Sequence, residues 1–307
     1  MPEPDPSPGS GSVRSGPTGQ EVTPSLLRRW GLPAAGESKY GRGQVLIVGG
    51  AATTPGAVQL AGLAALRMGA GHLTMAVAAS AAVPMAVATP EAGVIGLPQN
   101  ERGSVLGADL RAIADDLSSA DVVTVGVGLD DPEETAVLLR TLVPQLGEET
   151  WLVLDAYALG VLPGLDDEVL APVRGRLVLT PNSSEAARLL DRELAEGTAE
   201  RQADVSEIAR RYGAVVSCSG AVANADGEVW QVSAGNGGLA TSGSGDVQVG
   251  AVSGLLGRAG DADQAAVWGT HVHAAAGDRL AARVGALGFL ARELLTELPV
   301  VLSELGA

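Results

Sequence analysis

The chain has 307 residues, of which 46% are hydrophobic, 42 are glycine and only 3% are aromatic; this length suits one large domain or two small ones, with a core of Val, Leu, Ile and Ala. The net charge of −16 repels nucleic acid phosphates and anionic membranes, which argues against both as partners, while backbone N–H groups can still bind an anionic small ligand. One cysteine, Cys218, excludes a disulfide framework and a cysteine-based zinc site within one chain.

In chain order, residues 1–20 are rich in Pro, Gly and Ser, lack periodicity and are expected to be a disordered tail before one domain spanning 21–307. No secretory signal is visible in this segment, so a cytoplasmic protein is expected. Thr23 is placed to cap a helix whose first residue is Pro24. Strand-like and helical runs then alternate: strand 44–48, helix 55–68, strand 72–77, helix 80–88, strand 92–97, helix 104–117, strand 122–125, helix 132–146 and strand 151–155. Strand 177–179, helices 183–194 and 199–212, and strands 215–217, 222–224 and 229–232 follow, with helices 246–258, 262–283 and 289–305 closing the chain. The longest charge-free apolar stretch, Leu73 to Pro90, contains Pro84 and reads as strand plus helix, short of the ~20 apolar residues of a membrane span. Unbroken apolar strands separated by helices predict a mainly parallel sheet in a three-layer α/β/α sandwich. The segment Ala225-Asp226-Gly227 adds a late β-hairpin.

Ligands of such sheets bind beyond the carboxyl ends of the strands. Four strand ends carry suggestive residues. Gly49-Gly50 through Ala57 either lets backbone approach a ligand or makes an ordinary tight turn. Gly126-Val127-Gly128 begins like a dinucleotide fingerprint, but Asp131 stands where the third glycine belongs, which favours a glycine-lined substrate wall. Asp155 ends a strand and either faces the site or caps the next helix. After Thr180-Pro181, Asn182 or Ser183 could cap a helix, and Glu185 could serve the helix dipole or reach a metal through water.

The strongest signal is Thr241-Ser242-Gly243-Ser244-Gly245-Asp246. Two glycines at spacing two, before a helix start, allow several N–H groups to converge on one anion. A carboxylate beside bound phosphate needs a purpose, and taking a proton from an attacking hydroxyl supplies one. The alternative is a helix cap after a flexible loop. No Walker loop occurs. His271 and His273, two residues apart, point to different helix faces and form a weak metal pair.

Taken together, these segments resemble the ribokinase-like superfamily, and within it the ADP-dependent NAD(P)H-hydrate dehydratases. The residues that carry the resemblance are Gly41-Arg42-Gly43, Thr54-Pro55-Gly56-Ala57, Arg67-Met68-Gly69-Ala70-Gly71, Pro90-Glu91, Gly126-Val127-Gly128, Leu154-Asp155-Ala156, Thr180-Pro181 and Gly243-Ser244-Gly245-Asp246. The resemblance implies that the (S)-hydrate of NADH or NADPH is phosphorylated by ADP (ATP in some eukaryotic members) with Mg²⁺, and that loss of phosphate restores NAD(P)H and leaves AMP. It implies Asp246 as base on the ring hydroxyl and the N–H groups of Gly243, Ser244 and Gly245 as holders of the phosphoryl group, with Gly245 near AMP. Ala57, Gly128 and Asn182 would contact the hydrate, and Ser219, Gly220, Ala221, Val222 and Ala223 the nucleotide. A homotetramer, and an epimerase carried on a separate chain, are also implied.

Three positions depart from the family pattern. Asn182 stands where His usually follows Thr-Pro, Ser219 where Lys usually closes the strand before the nucleotide loop, and Tyr157 where a second Asp is usual. Asn still hydrogen-bonds, but Ser supplies no positive charge to a phosphate. Asn182 and Ser219 motivate one alternative to the dehydratase, a non-catalytic nucleotide-binding paralogue; the other is a vitamin-precursor kinase of the same superfamily, which would keep the Gly243–Asp246 centre but give a stable phosphorylated product.

Overall fold

The computed structural model describes residues 19–34 and 36–307. The strands are β1 (Gln20–Glu21), β2 (Gln44–Val48), β3 (His72–Ala78), β4 (Gly93–Leu97), β5 (Val122–Val125), β6 (Trp151–Leu154), β7 (Leu177–Leu179), β8 (Val215–Cys218), β9 (Ala221–Ala223) and β10 (Val229–Gln231). The helices are α1 (Pro24–Trp30), α2 (Pro55–Arg67), α3 (Ala79–Ala88), α4 (Ala114–Ser119), α5 (Pro132–Leu142), α6 (Tyr157–Val161), α7 (Asp167–Leu170), α8 (Ser183–Leu190), α9 (Thr198–Tyr212), α10 (Ser244–Ala259), α11 (Ala262–Val284) and α12 (Ala291–Leu305).

All ten strands join one sheet in the order β1-β10-β9-β8-β7-β6-β5-β2-β3-β4. From β4 to β8 every pair is parallel, and only β8–β9 and β9–β10 are antiparallel. The pleat sends alternate side chains of β2 into two cores: Val45 and Ile47 into one, Leu46 and Val48 into the other. Each core is capped by helices, α2, α10, α11 and α12 over the first and α5, α8 and α9 over the second. Both faces are thus covered, which is why the strands read as unbroken apolar runs.

Helix α10 lies against α2 through glycines. A methyl group at Gly250 or Gly254 would run into the backbone of Ala61 or Ala65. The helices approach backbone to backbone, with no side chain between them at these points.

Several expected boundaries move. The tail lies outside the described residues up to Thr18, but Gly19 donates to Gln202 at 3.0 Å and Gln20–Glu21 pair with β10, so the domain begins earlier than Glu21. The helix expected over 104–117 survives only from Ala114, after a short turn at Arg111–Ile113. Asn100 Oδ1 accepts the N–H groups of Arg102 and Ser104 and ties this stretch into a turn, while Gly107 donates to Glu134 at 2.9 Å; these local bonds outcompete the helix. The helix expected over 183–194 stops at Leu190, where Asp191 adopts a left-handed φ of 57°. Helices α6 and α7 were not anticipated.

Candidate active site

The chain builds β3 and β4 on one side of β2, then returns to add β5 on the other side. The crevice beyond the carboxyl ends of β2 and β5 is therefore the topological switch point, where ligands of open α/β sheets bind. The two glycine turns meet there. Gly50 N–H donates to Val127 O at 2.9 Å, Ala51 N–H to Gly128 O at 2.7 Å, and the Thr54 hydroxyl to the same Gly128 oxygen at 2.7 Å. Gly128 has φ +67°, and a methyl group on it would lie 3.0 Å from Ala57 Cβ. Ala57 and Gly128, far apart in sequence, are thus neighbours, and both are half-buried.

Alongside them, over the ends of β6, β7 and β8, opens a cavity of about 770 Å³. It brings together Asn182, Glu185, Ser219, Gly220 and the whole turn Gly243–Asp246, and adds Asp155, Thr180 and His273. Ala221, Val222 and Ala223 are not in its lining; they form β9 with side chains buried in the two cores.

The turn is built at the start of α10. Gly243 caps the helix with φ +87°, and an added methyl would lie 2.7 Å from Leu60. The expected amide donors are not equivalent. Ser244 N–H already donates to Thr241 O at 3.2 Å, whereas the amides of Gly243, Gly245 and Asp246 make no hydrogen bond within the described residues. The candidate anion-holding group is therefore a helix N-terminus with unsatisfied donors, plus the dipole behind it. A methyl on Gly245 would meet no protein atom within 4 Å.

Asp246 sits in the first turn, half-buried, and desolvation raises its pKa to about 6. It is thus a carboxylate at neutral pH, with a basicity suited to accepting a proton. Asp155 is buried more deeply, at 7% exposure. Burial first, then the charge of Glu185, raises its pKa to about 8 despite a 2.7 Å hydrogen bond from Thr180. Ala156, next to it, has φ 49°, a strained value for a residue with a Cβ. Asp155, Glu185 and Asp246 are the carboxyl groups that line the cavity; no Lys or Arg among the described residues lines it.

Two of the three departures from pattern have clear local roles. Asn182 and Glu185 form a reciprocal cap on α8: Asn182 Oδ1 accepts Glu185 N–H and Glu185 Oε2 accepts Asn182 N–H, each at 2.9 Å. Burial raises the Glu185 carboxyl above its ordinary range. Ser219 and Gly220, with φ +48° and +83°, are the two central residues of the β8–β9 hairpin turn. The Ser219 hydroxyl lies 3.1 Å from that of Ser183. Tyr157 begins α6 and is 40% exposed.

The pair His271 and His273 does divide between surroundings, as expected of residues two apart. His273 Nε2 lies 3.0 Å from the Ser244 hydroxyl, while His271 Nδ1 is buried without a partner. Sequence reasoning treated them only as metal ligands and missed the first contact. Twenty-nine residues separate Ser244 from His273, and only the antiparallel packing of α10 on α11 joins them.

The family model for NAD(P)H-hydrate dehydratase matches residues 45–300. The chain belongs to the NAD(P)H-hydrate dehydratase family. Its relatives include an ADP-dependent (S)-NAD(P)H-hydrate dehydratase of Xanthomonas campestris, 43% identical over 95% of this chain and 99% of that one. A bifunctional NAD(P)H-hydrate repair enzyme of Moorella thermoacetica is 38% identical over 86% of this chain, which matches only 50% of that protein's length. Among solved structures, a ribokinase-like protein of Enterococcus faecalis has a TM-score of 0.78 at 21% identity, covering 97% of this chain and 99% of that one. A Bacillus subtilis ADP/ATP-dependent NAD(P)H-hydrate dehydratase co-crystallised with ATP and Mg²⁺ has a TM-score of 0.76 at 24% identity, covering 93% and 98%. The fold is therefore ribokinase-like. No helix among the described residues is long and apolar enough to cross a membrane.

Proposed function

We propose that this dehydratase-family chain restores NADH and NADPH from their (S)-hydrates at the expense of ADP, releasing AMP and phosphate. The observation that carries the reading is Asp246, half-buried with a pKa of about 6 and next to free amides at the start of α10. Asp246 takes the proton of the ring hydroxyl as that oxygen attacks the terminal phosphorus of ADP; the bond to the bridging oxygen breaks and AMP leaves. The amides of Gly243, Gly245 and Asp246 hold the phosphoryl group in transit. The C–O bond of the phosphorylated hydrate then breaks, phosphate departs, and loss of the neighbouring ring proton closes the double bond.

Ala57 and Gly128, outside the cavity lining, form the hydrate wall, and Asn182 contacts the hydrate from the cavity. Ser219 and Gly220 border the nucleotide; Ala221–Ala223 hold that border in place through β9. The chemistry of the cavity fits Mg²⁺: the carboxyl groups of Asp155, Glu185 and Asp246 line it, and no Lys or Arg among the described residues does. Among the described residues no group of three His, Cys, Asp or Glu could cage a metal ion. This suits an ion that keeps its waters and arrives on phosphates, with Glu185 reaching it through water. When bound, Mg²⁺ neutralises charge on the transferring phosphate. Cytoplasmic location, a homotetramer and a separate epimerase chain complete the proposal.

The cavity without Lys or Arg also favours a second reading, a nucleotide-binding paralogue without turnover. One assay separates the two. Hydrated NADH is incubated with protein, Mg²⁺ and either ADP or ATP, and the near-ultraviolet absorbance of the reduced ring is followed. Recovery of absorbance is the expected result. Nucleotide binding without recovery, by folded protein, would establish the paralogue instead, and a stable phosphorylated alcohol would identify a kinase.

A further inference from the structure

We propose that the Ser244 hydroxyl is a donor to the transferred phosphoryl group and that His273 is the positioning residue that aims it. The inference rests on the dehydratase reading but assigns chemistry to two side chains that the reading leaves idle.

Ser244 stands within the anion-holding turn, yet its amide is already spent on Thr241 O. Ser244 lines the cavity, and with its amide bonded its hydroxyl is the donor left to serve a ligand there. That hydroxyl is buried with Ser244 itself at 3% exposure, and its only hydrogen-bond contact within the described residues is His273 Nε2 at 3.0 Å. His273 is 6% exposed and also borders the cavity.

A phosphoryl oxygen only accepts hydrogen bonds. A hydroxyl facing it must donate its one hydrogen there, so its own oxygen must accept from elsewhere. A neutral imidazole has one N–H and one bare nitrogen, and the tautomer follows from the neighbours. With phosphoryl in the turn, the hydrogen must sit on Nε2. The chain then runs from Nε2–H to Oγ, and from Oγ–H to the phosphoryl oxygen, each bond polarising the next. With no ligand, the hydroxyl is free to turn and donate to Nε2 instead.

Burial keeps His273 neutral, with its pKa lowered to about 4. Asp246 and Asp155 border the same cavity, where a carboxylate would favour the cation, but burial dominates; Thr270, one turn back on α11, bonds to Ser217 at 2.7 Å and leaves His273 alone with Ser244. No proton is gained or lost by His273 in this role; it sets a direction.

The test is a double-mutant cycle on kcat and on KM for ADP, with circular dichroism on every variant. Ser244→Ala is expected to lower kcat about tenfold or more, the size of one hydrogen bond to a charged group. His273→Leu is expected to lower kcat by a similar factor, and the double variant Ser244→Ala/His273→Leu by no more than either single change. His273→Gln, whose amide carries a donor, is expected to recover most of the loss. If His273→Leu does not fold, His273→Asn, polar but shorter, takes its place in the cycle. Losses that multiply in the double variant would overturn the proposal, because His273 would then act independently of the hydroxyl. An unchanged kcat in Ser244→Ala would overturn it as well. Absence of turnover in the unsubstituted protein is a different result, and it would remove the dehydratase reading itself.

Discussion

Thr180 donates its hydroxyl hydrogen to Asp155 Oδ1 at 2.7 Å, where the ends of β6 and β7 lie side by side. That bond lowers the pKa of Asp155, but burial and the charges of Glu185 and Asp246 outweigh it and raise the value from 3.8 to about 8. Asp155 is therefore held as a neutral acid at neutral pH. Between the two values the folded chain keeps a proton that the unfolded chain has lost. The contribution of Asp155 to stability is thus full below the unfolded pKa and disappears as pH rises through the folded one. Melting temperature is expected to fall across this window, and Asp155→Asn to flatten the fall. Calorimetry of both proteins at stepped pH checks this; parallel slopes would refute it.

Asp246 should control the acid limb of turnover. Its pKa of about 6 means that the basic form is lost below that pH, so kcat/KM is expected to drop about tenfold per pH unit there. Asp246→Asn should reduce kcat by about 10²–10⁴-fold and abolish the limb. A variant that retained the limb would show that another group supplies it.

Gly243 and Gly245 are expected to fail in opposite ways. Gly243 needs φ +87°, and a methyl there crowds Leu60 at 2.7 Å. Gly243→Ala should therefore cost stability, about 1–3 kcal/mol for the backbone alone. At Gly245 a methyl meets no protein atom within 4 Å, and the position borders the cavity. Gly245→Val should melt close to the unsubstituted protein and raise KM for ADP. Thermal melts and ADP titrations on the two variants separate these effects.

Ser219→Lys should strengthen ADP binding. Ser already tolerates φ +48° with a Cβ, so Lys meets the same backbone geometry and gives up the contacts of the Ser219 hydroxyl with Ser183 at 3.1 Å and with Cys218 Sγ at 3.8 Å. A cation on the border of a cavity with no Lys or Arg is expected to lower Kd for ADP about threefold to tenfold, less at high salt. Isothermal titration at two ionic strengths measures both. An unchanged Kd would mean that residue 219 points away from the phosphates.

The parallel core could be read from the sequence because β2, β5 and β6 are buried on both faces, which leaves, past Gln44 at the start of β2, no polar residue to blur the pattern except Thr124, itself bonded to Ser253 at 2.7 Å. The turn at Gly243–Asp246 could be read because glycine spacing and a helix start are local features. Asn182 was read as a possible cap and is one. The stretch after Ser104 misled because its apolar spacing is helical while Asn100 collects the backbone donors nearby. The contact of His273 with Ser244, and that of Asp155 with Thr180, join different elements, so neither leaves a trace in local spacing.

Gly250 and Gly254 carry a consequence for both halves of the reaction. Helix α2 starts at the proposed hydrate wall beside Gly128, and α10 starts at the proposed phosphoryl turn; the two touch main chain to main chain at Ala61 and Ala65. Acceptor and donor ends are thus gauged by a spacer that has no rotatable part. Side chains in the crevice can be exchanged over evolutionary time without altering that separation, whereas one added methyl two or three turns down the helix would misalign a reaction it never touches.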